Sequence, residues 1–301
     1  MSTDPSTTKG KPSTRDTTGD TGSSDGISAT VQTNDIRTYY ERRGEGPPVV
    51  FIHGMFMSTT EWEPQMDALS DTYSTIAYDV RGHGHTGGSD LQTYTFEQYA
   101  SDLHELLDAL DVERPVLCGL SMGGCIAQAY AARYPENVAG LVLADTFTAG
   151  PLPLKARLVF RNLRFLGRLD RVVRYPTINR IQLWVGNKLS PGVASDAEAI
   201  QRLVADAPTI PHSEVRKIAD CMSRLPESGL DISTVTVPTH ILYGEHTPAA
   251  FKSMHRRLAL EMPEAPVTTT VVPDAGHASN IDNPEFFTNT VRAFLADVCA
   301  D

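Results

Sequence analysis

Residues 119–123 read Gly119-Leu120-Ser121-Met122-Gly123, a serine flanked by glycines two positions away on each side. A serine hydroxyl is a poor nucleophile until a base removes its proton and a donor pair receives the charge that develops on the substrate. The run lies between an apolar stretch, Pro115–Leu120, and a helical pattern over 122–134. A serine at such a strand-to-helix turn has strained backbone, which crowds the positions two residues away and suits Gly119 and Gly123. The same turn puts the Met122 amide at the positive end of a helix, where it can bind an oxyanion. His53-Gly54-Met55 follows another apolar run, and the Met55 amide is the candidate second donor, while His53 is expected to pack within its loop. Gly276-His277 precedes the last helical pattern and offers a base on a loop after a strand. His83, His85 and His246 are the competing bases.

These groups need a frame that brings residues 55, 121 and 277 to one end. Short continuous apolar runs at 48–54, 75–84, 115–124, 138–146, 237–245 and 265–273 read as buried parallel strands. Residues 36–41 alternate like an edge strand. Helical patterns lie between them. Residues 96–111 follow a Thr95/Gln98 capping box, and residues 284–298 start with Asn283 as N-cap and Pro284 at the first helical position. Alternating strands and helices predict a mainly parallel α/β sheet, with sites at the strands' carboxyl ends. Residues 147–234 break the rhythm, with helical patches and no buried strand, and are expected to form a helical cap. The core then comprises 30–146 and 235–301. Residues 1–29 have almost no large apolar side chain and predict a disordered polar tail without a secretory h-region.

Composition narrows the partners. The 301 residues are 41% hydrophobic, enough for a sizeable core, and the formal net charge of -11 argues against nucleic acid. Cys118, Cys125, Cys221 and Cys299 form no CxxC pair or metal-ligand spacing, so free thiols in the cytoplasm and no metal are expected. No apolar run approaches the roughly 18 residues of a spanning helix.

The runs "FIHGM", "YDVRGHG", "GLSMGGCIAQAYAARYPENVAGLVLADT" and "VPDAGHASNIDNPEFF" together resemble the α/β-hydrolase family. The central run is most similar to the branch of enol-lactonases, small-ester hydrolases and cofactor-free perhydrolases. The resemblance implies an eight-stranded, mostly parallel sheet with helices on both faces and a helical cap. It also implies Ser121 as nucleophile, His277 as base and the amides of Met55 and Met122 as oxyanion hole. No cofactor is implied. The family pattern then expects Gly-x-x-Asp after the strand residues Ile241-Leu242-Tyr243, but the chain reads Gly244-Glu245-His246-Thr247. A hydroxyl cannot supply the charge that stabilises an imidazolium. Asp145, at the end of the strand after the nucleophile, is the first candidate replacement; Glu245 and Asp274 are others, and outright loss of the acid is the remaining option.

The expected activity is cleavage of an ester, lactone or related acyl bond of a small molecule through an acyl-enzyme, with Phe147 and Trp184 as candidate pocket walls. A perhydrolase or haloperoxidase using the same serine is one alternative, and a weakly active or ligand-binding homologue, motivated by Thr247, is the other. Lys155, Arg157, Arg161, Arg164, Arg168, Arg171 and Arg174 face the single acid Asp170 in their span, and the arginines from 157 to 171 fall on one helix face. That stripe is a solvated outer face or a weak contact with a membrane surface.

Overall fold

The computed structural model describes residues 26–148, 162, 197–206 and 208–300. The expected tail up to Asp25, the basic stripe at 155–174 and Trp184 lie outside the described residues.

Eight strands form one sheet: β1 (Gly26–Thr33), β2 (Ile36–Arg43), β3 (Pro48–Ile52), β4 (Ser74–Tyr78), β5 (Val116–Leu120), β6 (Gly140–Ala144), β7 (Thr239–Gly244) and β8 (Val267–Val272). Their spatial order is β1-β2-β4-β3-β5-β6-β7-β8. The pairs β1–β2 and β2–β4 are antiparallel, and every other neighbouring pair is parallel. The sheet is therefore the mostly parallel one the strand-helix alternation predicts. The edge differs. Strand β1 begins at Gly26, inside the span read as tail, and it displaces β2 from the edge. Edge strands are held chiefly by backbone pairing, so β1 needs only Val31 packed against the core. Asn34 closes the hairpin with φ +47°, a conformation that asparagine adopts readily.

The helices are α1 (Glu63–Leu69), α2 (Phe96–Ala109), α3 (Met122–Arg133), α4 (Ala197–Asp206), α5 (His212–Ser223), α6 (Ala249–Leu260), α7 (Ser279–Asp282) and α8 (Pro284–Val298). Thr95 caps α2 by accepting from the Gln98 amide at 3.2 Å. Asn283 caps α8 through the Phe286 amide at 3.3 Å. Strand alternation divides the core into two layers. Val50 and Ile52 of β3 join Leu103 of α2 and Ile126 of α3 on one face. Val49 and Phe51 join Trp62, Met66 of α1 and Phe287 of α8 on the other. Strand β5, central and paired on both sides, is covered on both faces; its carboxyl end carries Ser121. The described residues between 147 and 234 contain α4 and α5, and Ile218 and Met222 of α5 are buried in the first layer.

Candidate active site

Ser121 sits between β5 and α3 with φ +55° and ψ −113°, a backbone state costly for a residue with a side chain. The surroundings enforce it. The Ser121 amide donates to the Ala144 carbonyl at 2.9 Å, and the Thr146 hydroxyl donates to the Ser121 carbonyl at 2.6 Å. A Cβ on Gly119 would lie 2.4 Å from the Gly123 carbonyl oxygen, and one on Gly123 would lie 2.0 Å from that of Ile52. Both glycines are thus steric requirements of the turn.

His277 lies on the loop between β8 and α7, and its Nε2 is 3.1 Å from Ser121 Oγ. Burial lowers its pKa to about 4, against a raising influence from the Asp282 carboxylate. The imidazole is therefore neutral at neutral pH and can take the serine proton. Its ring packs on Phe147 at 5.6 Å between centroids, and Phe147 in turn meets Phe251. Phe147 therefore walls the base.

The Met122 amide is the first of α3, and the first N–H groups of a helix have no intrahelical acceptor. The loop bearing Met55 is held from both sides. The Val80 amide donates to His53 Nε2 at 3.0 Å, which leaves His53 Nδ1 to donate to the Gly54 carbonyl at 2.8 Å. The Gly54 amide donates to Glu61 Oε2 at 2.7 Å. His53 packs in its loop as expected. Glu61 is a buried group with no sequence signal: its Oε1 has no partner, and burial raises its pKa to about 8.

None of the competing bases bonds to Ser121 among the described residues. His83 is buried with Nδ1 close to the Val80 and Arg81 carbonyls, and its pKa is lowered to about 3. His85 packs on Tyr39, and His246 is exposed.

Asp145 does not take the place expected of it. It is fully buried, its Oδ1 accepts from the Gly244 amide at 3.0 Å, and its Oδ2 accepts from the Ser279 amide at 3.2 Å and the Ser279 hydroxyl at 2.5 Å. Among the described residues no hydrogen bond joins it to His277. Three nearer donors take up its oxygens, and burial raises its pKa to about 7. Asp145 instead ties β7 to the segment just after His277. Glu245 and Asp274 are exposed, the Asp274 amide donates to Glu245 Oε2 at 3.2 Å, and no hydrogen bond among the described residues joins either to the imidazole. Their side chains and that of His246 bring possible ligand atoms within 4.8 Å of one another, but only proximity marks this exposed group as a metal site. Thr247 is 4% exposed, and its Oγ1 has no hydrogen-bond partner among the described residues. Ser279 and Asp282 were legible only as letters inside the histidine run, because the Ser279 contact depends on where β6 ends and the Asp282 contact on how the loop folds back onto Gly276.

A groove of about 1070 Å³ is lined in part by Pro47, Arg114, Pro238 and Pro266, which precede strands. It opens at the opposite end of the sheet from Ser121. All four cysteines are free, and no described helix is long and apolar enough to cross a membrane.

The sequence profile of the alpha/beta hydrolase fold matches residues 47–284. 3-Oxoadipate enol-lactonase 2 of Acinetobacter baylyi is 24% identical over 271 residues, spanning 88% of this chain and 96% of its own. The structure of a thermophilic esterase from Thermogutta terrifontis superposes with a TM-score of 0.74 at 28% identity, covering 90% of this chain and 99% of that one. The enol-lactonase of Burkholderia xenovorans LB400 gives a TM-score of 0.69 at 25% identity, covering 89% and 100%.

Proposed function

The chain belongs to the alpha/beta hydrolase fold family, and from that premise we propose that it is a serine hydrolase cleaving a carboxylic ester, lactone or related acyl bond of a small molecule. The observation that carries the reading is the 3.1 Å approach of His277 Nε2 to Ser121 Oγ at a strained strand-to-helix turn. The esterase and enol-lactonases similar to this chain support the substrate class.

In the proposed reaction Ser121 Oγ attacks the carbonyl carbon as His277 Nε2 takes its proton. The Met55 and Met122 amides receive the charge on the carbonyl oxygen. Collapse of the tetrahedral intermediate breaks the acyl–oxygen bond, and His277 returns the proton to the departing alkoxide. A water deprotonated by His277 then attacks the acyl-enzyme, releasing the acid and restoring Ser121. Phe147 contributes an apolar wall beside the base, and the identity of the acyl group rests with the cap. Asp145 contributes through Ser279, by holding the His277 loop to β7.

A second reading, a weakly active or ligand-binding homologue, draws support from Thr247, whose hydroxyl makes no bond to the imidazole. One experiment separates the two. Intact mass after fluorophosphonate treatment should show rapid addition to the wild type and none to Ser121→Ala. A folded wild type that does not react rules out the hydrolase reading.

A further inference from the structure

The imidazolium that forms at His277 needs a negative charge nearby, and the residue at the family's acid position is an uncharged threonine. Three carboxylates of the loops around it are poorly placed. Both oxygens of Asp145 accept from Gly244 and Ser279, and burial raises its pKa to about 7, which leaves it substantially protonated at neutral pH. Glu245 and Asp274 are exposed, where water weakens any field they exert.

Asp282 differs in position and in bonding. It ends α7, the single turn that starts two residues after His277, and its amide donates back to the Ala278 carbonyl at 2.9 Å. The turn folds Asp282 over the loop, and its Oδ2 accepts from the Gly276 amide, the residue before His277, at 2.7 Å. Asp282 therefore closes a ring of chain with His277 inside it. Half-buried, it is less screened than Glu245 or Asp274. Its field also raises the Asp145 pKa, the behaviour of two carboxylates sharing one region in which one keeps the proton.

We propose that Asp282 supplies the negative charge that Thr247 cannot, stabilising the His277 imidazolium across the loop it closes, as the positioning residue of this site. The inference rests on the hydrolase reading for its catalytic meaning. The titration of His277 tests it separately. Among the described residues the other titratable groups near that loop are His255, from α6, whose own protonation His277 disfavours, and Asp145, at the end of β6, which bonds to Ser279 two residues after His277.

The test compares wild type with Asp282→Asn, whose amide oxygen can still accept from Gly276, and with Asp282→Glu, which keeps the charge. Asp282→Ser, whose hydroxyl can also accept from Gly276, serves as a second neutral variant should the asparagine chain fail to fold. Two readouts are taken: the NMR titration of the His277 ring, and the rate of fluorophosphonate addition across pH. The neutral variants are expected to move the His277 midpoint to lower pH by at least about half a unit, and to slow addition about 10- to 100-fold. Asp282→Glu is expected to recover most of both. An unchanged midpoint in a folded neutral variant overturns the proposal, whether or not addition slows, because a merely structural Asp282 changes the rate without changing the titration. A wild type that takes up no reagent sinks the hydrolase reading alone, since the His277 titration still decides what Asp282 does.

Discussion

The side of the proposed nucleophile and the side of its proposed acid are built in different ways. Ser121 and its supports are local: Gly119 and Gly123 lie two residues away, and a Cβ on either would strike backbone. The geometry is enforced by repulsion, which falls off within an ångström and tolerates no substitute. The acid side spans Asp145, Gly244–Thr247 and Gly276–Asp282, three stretches joined only by folding. Its task is electrostatic, and a field acts over several ångströms from more than one direction. One side of a catalytic centre can therefore hold to its pattern while the other departs from it.

The comparison can be broken most severely at Ser121. Ser121→Ala should lower esterase turnover by at least about 10⁴-fold with the melting temperature retained, measured with a chromogenic short-chain ester. Gly123→Ala comes next. Its Cβ would lie 2.0 Å from the Ile52 carbonyl oxygen, so thermal or urea unfolding should show a loss of about 3 kcal/mol or more. An alanine variant as stable as the wild type would remove the steric account of the turn.

His255, behind the acid side, should respond in the opposite sense. It is buried against Tyr243, stacked at 4.8 Å, and neither ring nitrogen completes a hydrogen bond, although the Thr146 carbonyl is close. Burial and the neighbouring His277 lower its pKa from 6.5 to about 3. The folded chain thus binds fewer protons than the unfolded one between these values. The stability linked to His255 is complete above pH 6.5 and is lost as pH falls toward 3. His255→Phe keeps the stacking, removes two unpaired nitrogens and cannot titrate. It should raise stability at pH 7 by about 1 kcal/mol and make the decline between pH 6.5 and 4 shallower in urea titrations. A steeper decline would contradict the assignment. The smallest effect belongs to Thr247→Ala. With Oγ1 unpartnered, its removal should change turnover by less than about threefold and leave the denaturation midpoint nearly unmoved. A larger loss of activity would return the acid's role to this position.

Much of the fold was legible because its signals are local. Buried parallel strands are short apolar runs, and the capping residues Thr95 and Asn283 stand at the helix starts they mark. Strand β1 was not legible, since an edge strand paired through its backbone carries little apolar pattern. Glu61 and His255 gave no signal either. Each is buried by segments distant in sequence, and only that burial shifts its pKa.

For the site the division is sharper. The sequence by itself marked the turn at Ser121 and the glycines that force it, because steric exclusion over a few residues leaves one arrangement, and it offered His277, which the fold brings within 3.1 Å of that serine. Only the tertiary structure decided what becomes of the carboxylates. It turned Asp145 toward Gly244 and Ser279, and folded Asp282 back onto Gly276, because charge interactions are settled by distance and burial in space rather than by spacing along the chain.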